Sequence, residues 1–563
     1  MKLFVMSGAA VIAAATLSGV LVLAPTVAYA DTAGAPAPSL VVQDALEGYP
    51  TVASLASAFT DAAPDAVITL SQDLTGVASD PVVSVRDGGA VTLDLNGHTL
   101  KLTRDDLRAA IEVPPSSKLT VTDTTIDHTG HLIVDANDGA GIGGAALGHP
   151  GEAPGFGTIV IAGAKVDATS RTAAAIGGAE NGGASGDITI TYNTVANFNF
   201  GSTVTATSQY AAGIGSAIFS RWQGAVTLTG HSTVTATGGF ASAGIGGGPD
   251  STIGTITIND AIVDATGDGG AAGIGGGAGA HGALPPIIIV NGNIDASGGP
   301  TGTGIGAGAR GIDGAAPVSL TISGQSIVTP SASSGVAIDL SAEGSQLTVD
   351  KSELWIPSGN SVTIPAGMTV NNDGGTIVAR GTIANHGTIR TVNGGRVDSP
   401  ENVSDNNTTI KWDGNGGTAP VAQTHIFART LDAAGDVTFP LPVRDGYVYE
   451  GWYPSTDGGT RLTTDTDLGG GGPKTLTYYA AWAPPGSAGA PPADGSGAGQ
   501  TGTAGSGTGA TLAATGSGVG TWAPVGGLVL AIGIALTAIA VGAARLRGGA
   551  AGQGNRPARP GSH

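Results

Sequence analysis

One repeated position places carboxylates where they could bind a cation. It holds an aspartate or a threonine in six successive repeats: Asp135, Asp167, Thr205, Thr235, Asp264 and Asp295. If the repeats stack as strands about 4.8 Å apart, Asp135 lies beside Asp167 and Asp264 beside Asp295. Carboxylates that close repel each other unless water or a hard cation such as Ca²⁺ screens them. The column therefore predicts either a Ca²⁺ site or a row of solvated surface acids, and Ca²⁺ is the only cofactor that the sequence suggests.

Other residue types that do chemistry are present without the spacing that chemistry needs. Asp105 and Asp106 are the only adjacent acids in the repeat region, and the flanking arginines predict a loop or short helix of paired charges. The glycine-rich segments lack the Gly-Lys-Ser/Thr ending of a phosphate-binding loop. Six histidines have no metal-ligand spacing: His98, His128, His131, His149, His231 and His281. No catalytic residue is predicted.

A short C-terminal motif predicts a covalent modification. Leu512, Ala513, Ala514, Thr515 and Gly516 precede residues 524–544, which contain no ionisable side chain. As a helix, residues 524–544 would span roughly 30 Å, enough to cross a bilayer core. The basic residues 545–563 would then stay on the cytoplasmic side.

This order of motif, apolar span and basic tail resembles the cell-wall sorting signal of Gram-positive surface proteins. The pentapeptide is similar to the LAxTG variant of high-GC actinobacteria rather than to the common LPxTG form. The resemblance implies that a sortase cleaves the Thr515–Gly516 bond and joins the Thr515 carboxyl group to an amine of peptidoglycan. The helix would hold the chain in the membrane before sorting. The alternative is a plain membrane anchor.

The N-terminus has the features of a secretory signal peptide. Lys2 precedes an apolar run over residues 3–24, and small residues at positions 28 and 30 predict cleavage between Ala30 and Asp31. Residues 1–30 are therefore expected to be removed. The mature chain is expected outside the cell, attached to the wall at the cell surface.

Composition limits the partners and the fold. The chain has 563 residues, 43 acids and 23 bases, and five of the bases lie outside residues 31–515. Because every acid lies inside that segment, its net charge is 18 − 43 = −25. A field of this sign disfavours nucleic acid as a partner. The absence of cysteine excludes a disulfide scaffold, and the 97 glycines show no Gly-x-y period, which excludes collagen.

Residues 130–350 repeat a unit of an alternating strand, a glycine-rich turn and a Gly-Ile-Gly segment. The isoleucine of that segment, or of its Ala-Ile-Gly variant, recurs every 29 to 38 residues: Ile142, Ile176, Ile214, Ile245, Ile274 and Ile305. Three short strands per unit, joined by Gly, Asn and Asp turns, are typical of one coil of a parallel β-helix, in which like residues form ladders. We therefore expect these isoleucines to lie inside a solenoid.

The repeats predict an all-β fold in which residues 61–400 form a right-handed parallel β-helix with three strands per coil. Counting the rungs gives about 10–13 coils. Residues 31–60 are expected to contain a helix near 52–59 that covers the first coil. Residues 94–100 resemble a turn of bacterial surface β-helices of the pectin-lyase-like superfamily.

Residues 408–483 have more aromatic residues and no isoleucine ladder. Residues 411–417, 444–453 and 478–482 closely resemble the Listeria–Bacteroides repeat, the B-repeat of internalin B. The resemblance implies a small β-grasp-like module that acts as a spacer or contact module. Its conspicuous aromatic residues are expected to form its core rather than a ligand platform: Trp412, Tyr447, Trp452 and Trp482. Residues 484–511, rich in Gly, Ser, Ala and Pro, predict a flexible linker.

Together these features predict a cell-wall-anchored surface protein that acts in adhesion or glycan binding through a face of the β-helix. The repeat style is similar to that of bacterial carbohydrate-binding domains that bind Ca²⁺ and acidic plant polysaccharides. The expected partners are a sortase, peptidoglycan, and a polysaccharide or host surface. No enzyme activity is expected, but two alternatives stay open. One is a polysaccharide lyase or hydrolase, which needs paired carboxylates or a basic residue above a groove. The other is a spacer without a specific ligand.

Overall fold

The computed structural model describes residues 49–486 apart from 147–154, 184–185, 222–223, 281–283, 310–315 and 419–421. The predicted signal cleavage at Ala30–Asp31, the sortase motif Leu512–Gly516, the span 524–544, the tail 545–563 and nearly all of the linker lie outside the described residues. Within the described ranges, no helix is both long and apolar enough to cross a membrane.

The prediction of a nearly all-β chain with long parallel sheets is confirmed. The chain passes repeatedly through three columns of parallel strands, an arrangement consistent with a β-helix. In the part of the chain that the structure describes, each column holds twelve strands, within the predicted range of coils.

The first and second columns belong to one large sheet. The first column contains Ala66–Thr69, Ala90–Asp94, Lys118–Thr122, Thr158–Ala162, Ile188–Val195, Val226–Thr237, Ile256–Thr266, Ile287–Val290, Ser319–Ser323, Gln346–Asp350, Thr369–Asp373 and Thr388–Val392. The second contains Leu74–Thr75, Thr99–Arg104, His131–Ala136, Lys165–Ser170, Thr203–Ser208, Asn293–Gly298, Ile327–Ala332, Glu353–Ile356, Thr376–Ala379 and Arg396–Asp398. The second halves of Val226–Thr237 and Ile256–Thr266 complete it, because these two long strands turn the corner between the columns.

The third column is a separate sheet. Its strands are Val83–Ser84, Ile111–Glu112, Ile142–Gly143, Ile176–Gly177, Ile214–Gly215, Ile245–Gly246, Ile274–Gly275, Ile305–Gly306, Val336–Asp339, Ser361–Ile364, Thr382–Asn385 and Val403–Ser404.

The isoleucine ladder runs along the third column. The six isoleucines of the repeat pair in register from Ile142 to Ile305, and all six are fully buried. In the first column, alternate residues such as Ile256 and Ile258 also point inward. Burial of these ladders supplies the apolar core that the cysteine-free chain needs. The predicted register of the isoleucine ladder is confirmed.

The glycine that follows each of these isoleucines allows the coils to approach closely. At Gly275 the backbone has φ +132°, and a Cβ atom there would lie 2.0 Å from the carbonyl oxygen of Gly306 in the next coil. The equivalent glycines from Gly143 to Gly246 have the same geometry. Any side chain at these positions would therefore push two coils apart.

A helix covers the N-terminal end of the solenoid, as predicted. It spans Val52–Asp61, and the Thr51 side chain accepts a hydrogen bond from the Ser54 backbone as a capping box. Leu55 and Phe59 on its buried face belong to the solenoid core. The helix thus shields apolar residues of the first coil from water.

The C-terminal module contains a four-stranded sheet with strands Thr408–Asp413, Thr424–Ile426, Val448–Tyr453 and Lys474–Ala483. A one-turn helix spans Leu431–Ala434, and a 3-10 turn at Pro400–Asn402 precedes the module. Trp412 and Trp452 are buried with ring centroids 4.8 Å apart, and Trp482 packs against them, so the core prediction holds for the three tryptophans.

The core prediction is wrong for Tyr447. Its side chain is 43% exposed, and the Arg444 guanidinium lies 4.0 Å from its ring centroid. Tyr447 follows the turn residue Gly446, just before the strand Val448–Tyr453, so its ring lies at the rim of the sheet. The Tyr447 ring therefore makes a cation–π contact with Arg444 and is not part of the core.

The module also closes the last coil. Phe427 of the module belongs to the solenoid core, and its carbonyl accepts hydrogen bonds from the Ile389 backbone and the Asn385 side chain, both at 2.9 Å. Nearby, the Asp436 side chain accepts a hydrogen bond of 2.7 Å from the Asn393 backbone. These contacts pair backbone groups that would otherwise form an open edge.

Candidate functional site

A groove follows the outer corner between the first and second columns. Successive coils turn this corner through a residue with a left-handed backbone, at Gly230 (φ +70°), Asp260 (φ +59°), Asn291 (φ +51°) and Gly324 (φ +78°). Gly, Asn and Asp are the residues that adopt this conformation at least cost. The repeated turn sets polar side chains along one edge of the solenoid.

The groove has a volume of about 590 Å³. The side chains that line it come from five successive coils: Tyr192, Thr229, Asn259, Asp260, Asn291 and Gln325. Four steps of about 4.8 Å give a length of roughly 19 Å along the solenoid axis. The groove is therefore long enough for several units of a polymer.

A hairpin places Tyr192 at one end of the groove. The strand Ile188–Val195 continues beyond its column and pairs antiparallel with Phe198–Gly201. The Tyr192 ring lies over Gly230, where an added Cβ atom would overlap the ring. The side chain nevertheless remains 42% exposed. Glycine at position 230 thus provides the space that lets this ring form a wall of the groove.

Contacts to earlier coils anchor the hairpin. Phe200 stacks on His128 with a ring-centroid distance of 3.8 Å, and the Nδ1 atom of His128 lies 3.0 Å from the Gly163 carbonyl. The Asn193 side chain donates a 3.0 Å hydrogen bond to the Thr122 hydroxyl. The hairpin is therefore held from both strands, which fixes the position of Tyr192.

The polar lining has groups ready to bind hydroxyls. Within the described residues, the side chains of Asn259 and Gln325 make no hydrogen bond. The side-chain oxygen of Asn291 accepts a hydrogen bond of 3.1 Å from the Gln325 backbone N–H. The amide nitrogen of Asn291 can still donate to a ligand. Each amide can both donate and accept. Asp260 lies 3.1 Å from the His231 Nδ1 atom and supplies the single carboxylate among the described lining residues.

One part of the predicted acidic column is confirmed. Asp264 and Asp295 are direct partners in adjacent strands of the second column. The pKa of Asp295 is raised, first because neighbouring atoms partly desolvate its carboxylate and second because Asp264 carries the same charge. The negative charge of Asp264 thus adds to the cost of ionising Asp295.

The predicted pairing of Asp135 with Asp167 is wrong. The strands align His131 with Lys165, so Asp135 lies opposite Thr169, whose hydroxyl donates to it at 2.6 Å. Asp167 instead contacts the His131 Nε2 atom at 2.7 Å. The register differs by two residues from the alignment that the sequence suggested, and each acid has its own polar partner.

A multidentate metal site is not found among the described residues, since no group of three or more His, Asp or Glu side chains could hold an ion there. Ca²⁺ takes six to eight oxygen ligands. The Asp264–Asp295 pair supplies two carboxylates, and threonines 235 and 329 flank it in the same column. Ca²⁺ binding by this pair stays a prediction.

Several other acids and histidines have structural partners. Asp106 is paired with Arg104; partial burial opposes its ionisation, but hydrogen bonds from the Arg104 side chain and the Arg108 backbone outweigh burial and lower its pKa. The buried Asp123 follows the strand Lys118–Thr122 and accepts hydrogen bonds from the backbone N–H groups of residues 97, 125 and 130. His98 lies 3.5 Å from Asp73. His149 and His281 are outside the described residues.

The sequence did not predict the groove. Its lining side chains are Asn, Gln, Thr, Tyr and one Asp, which carry no motif, and those from successive coils lie 30 to 37 residues apart along the chain. The available signal was a polar residue immediately after the first strand of each repeat. No protein-family model matches this chain, and comparisons with curated proteins and with solved structures found no match. The functional argument therefore depends on the groove.

Proposed function

We propose that this chain is a wall-anchored surface protein that binds glycans through the corner groove. In this proposal the solenoid is a right-handed β-helix, residues 408–483 are a β-grasp-like module, and a sortase joins Thr515 to peptidoglycan. The observation that carries the glycan-binding part is the combination of an exposed tyrosine ring with a row of side-chain amides in one open groove.

The chemistry of the lining supports a sugar ligand. A tyrosine ring is flat, rigid and amphipathic, so it can cover the apolar C–H face of a sugar ring. The amides of Asn259, Asn291 and Gln325 can donate to one hydroxyl group and accept from its neighbour. An extended peptide would instead need an unpaired strand edge. The corner offers side chains rather than an edge.

The residues that line the groove favour binding of a glycan without its cleavage. Glycosidases place two carboxyl groups about 5–10 Å apart on either side of the scissile bond. In the part of the chain that the structure describes, the groove is lined by one carboxylate, Asp260, and by no Lys or Arg that could act as a lyase base. Its amides can hold a glycan but cannot take up a proton from it.

A glycan array of neutral and acidic polysaccharides, probed with the purified full-length chain, tests this proposal. Tyr192→Ala should weaken binding of the recognised glycan by about tenfold, because a partly buried aromatic anchor contributes about 1.4 kcal/mol or more. Tyr210→Ala is the matched control. The Tyr210 side chain is 46% exposed, similar to the 42% of Tyr192, but it does not line the groove.

Two outcomes would contradict glycan binding through this groove. The first is an array on which the parent chain binds no glycan. The second is an equal loss of binding in Tyr192→Ala and Tyr210→Ala, which would mean that the groove is not the site. Binding that persists in EDTA would separate the groove from the Asp264–Asp295 pair, whose carboxylates would need Ca²⁺ to contact a polyanion.

A further inference from the structure

We infer that the groove takes an uncharged, linear polysaccharide that lies parallel to the solenoid axis, with one hexopyranose residue opposite each lining coil. This inference depends on the proposed glycan-binding function and adds the chemical class, the direction and the length of the ligand. Three features of the groove carry it: its charge, its repeat and its two ends.

The charge of the groove excludes acidic glycans. Among the described residues, the only charged side chain that lines the groove is that of Asp260; Asp264 follows in the same strand, and Asp295 lies in the next coil. The described residues that line the groove include no Lys or Arg that could pair with a uronate or sulfate group. A polyanion would therefore place its charges beside Asp260 without compensation.

A polycationic glycan also fits poorly. Such a glycan would need about one carboxylate for each sugar. The described lining residues of all five coils together supply one carboxylate, Asp260. That carboxylate already has a partner, since the His231 Nδ1 atom lies 3.1 Å from Asp260. Uncharged hydroxyl groups match the amide and hydroxyl side chains of Thr229, Asn259 and Asn291.

The repeat of the lining sets the direction of the ligand. Asn259 precedes, Asn291 forms and Gln325 follows the corner turn in three consecutive coils. A side-chain amide therefore recurs at about 4.8 Å along the axis, with its position in the turn shifted by one residue from coil to coil. A hexopyranose unit of an extended chain is about as long as one such step. A chain along the axis thus presents each ring to the amide of one coil.

The two ends of the groove limit the length of the ligand. At one end, the hairpin places the Tyr192 ring over the corner at Gly230. At the other end, the ladder of amides stops after Gln325, because the next corner residue with a left-handed backbone is Lys351. Five lining coils lie between these ends. We expect about five sugar residues to be covered, one opposite each of the five coils, which lie about 4.8 Å apart.

Isothermal titration calorimetry with the purified full-length chain tests the inference. The probes are cello-oligosaccharides and manno-oligosaccharides, as neutral linear chains, and oligogalacturonates, as acidic chains, each from the disaccharide to the hexasaccharide. Titrations are made in EDTA and in Ca²⁺. We expect affinity for at least one neutral series to rise at each added residue as far as the pentasaccharide and then to level off. Oligogalacturonates should bind at least tenfold more weakly in both buffers.

A pair of asparagine variants locates the ligand. Asn259→Ala should weaken the pentasaccharide by about 2- to 13-fold, the equivalent of one net hydrogen bond of about 0.5–1.5 kcal/mol. Asn293→Ala removes an equally exposed amide from the outward face of the second column and should leave affinity unchanged. Neither residue has a positive φ or a side-chain hydrogen bond within the described residues, so both variants should fold.

Each of the other possible titration results would contradict one part of the inference. Affinity that does not change beyond the disaccharide would refute the axial placement and leave glycan binding intact. Tighter, Ca²⁺-dependent binding of oligogalacturonates would refute the uncharged class and favour the Asp264–Asp295 pair. If neither series binds and the array is also blank, the proposed function itself fails.

Discussion

Replacing Gly275 by alanine should test how closely the coils approach each other. At this position φ is +132°, and the new Cβ atom would lie 2.0 Å from the carbonyl oxygen of Gly306. Gly306→Ala is a closely matched control. Its φ is +134°, but the nearest atom to its Cβ is a methyl carbon of Val318 at 3.1 Å. The two variants share the backbone strain, and only Gly275→Ala drives two backbones apart.

The difference between the two variants can be estimated. A positive φ at alanine costs about 1–3 kcal/mol and applies to both. At Gly275, overpacking adds about 1–3 kcal/mol. The Gly276 N–H donates to the same Gly306 oxygen at 2.9 Å, and its net contribution of about 0.5–1.5 kcal/mol would also be lost. Gly275→Ala should therefore destabilise the protein by about 2.5–7.5 kcal/mol, and Gly306→Ala by about 1–3 kcal/mol.

Thermal melting followed by circular dichroism compares the stability of the variants, and hydrogen exchange locates the effect. A local measurement is needed because stacked coils need not unfold in one cooperative step. We expect the Gly276 amide to lose protection in Gly275→Ala and to keep it in Gly306→Ala. Equal melting temperatures and equal protection in the two variants would refute the idea that the close approach of backbone atoms makes glycine necessary here.

Three further predictions concern the anchor, the core and the acidic pair. Thr515→Ala should move the protein from the wall to the membrane or medium; release by muralytic digestion at the parental level would leave a plain membrane anchor. Ile274→Asp should lower the melting temperature strongly, because an unpaired buried carboxylate costs several kcal/mol, and an unchanged melt would place the residue at the surface. Asp264→Asn should stabilise the protein at neutral pH relative to the single-acid control Glu343→Gln. Because the pKa of Asp295 is raised, the repulsion exists above that pKa and disappears as pH falls towards the ordinary value of 3.8, so a gain that is independent of pH would contradict the pairing. Added Ca²⁺ should stabilise the parent and not Asp264→Asn if the pair binds the ion.

The sequence alone determined the all-β class and the interior of the solenoid. Alternating apolar residues and a recurring isoleucine are local patterns, and burial of one face leaves a single way to orient them. The pattern therefore places Ile274 inside, between glycines, without tertiary information. The same reasoning identified the helix that begins at Val52, because its apolar face has helical spacing.

Register and surface chemistry were decided by the tertiary structure. A shift of two residues keeps the same side chains inward, so the alternating pattern could not distinguish Thr169 from Asp167 as the partner of Asp135. The shift was visible only in the backbone hydrogen bonds. Where the strands aligned as the repeats suggested, as at Asp264 and Asp295, the sequence was sufficient.

The groove depended on contacts between residues that are distant along the chain. Tyr192 reaches Gly230 because a hairpin extends one strand past the corner, and this geometry has no signature in either segment by itself. Asn259 and Gln325 become neighbours along one edge only after the intervening coils have stacked. Local sequence fixes which residues are buried, because burial follows from the period of the pattern. The binding surface depends instead on where the exposed residues meet, and the lengths of the connecting turns set those positions.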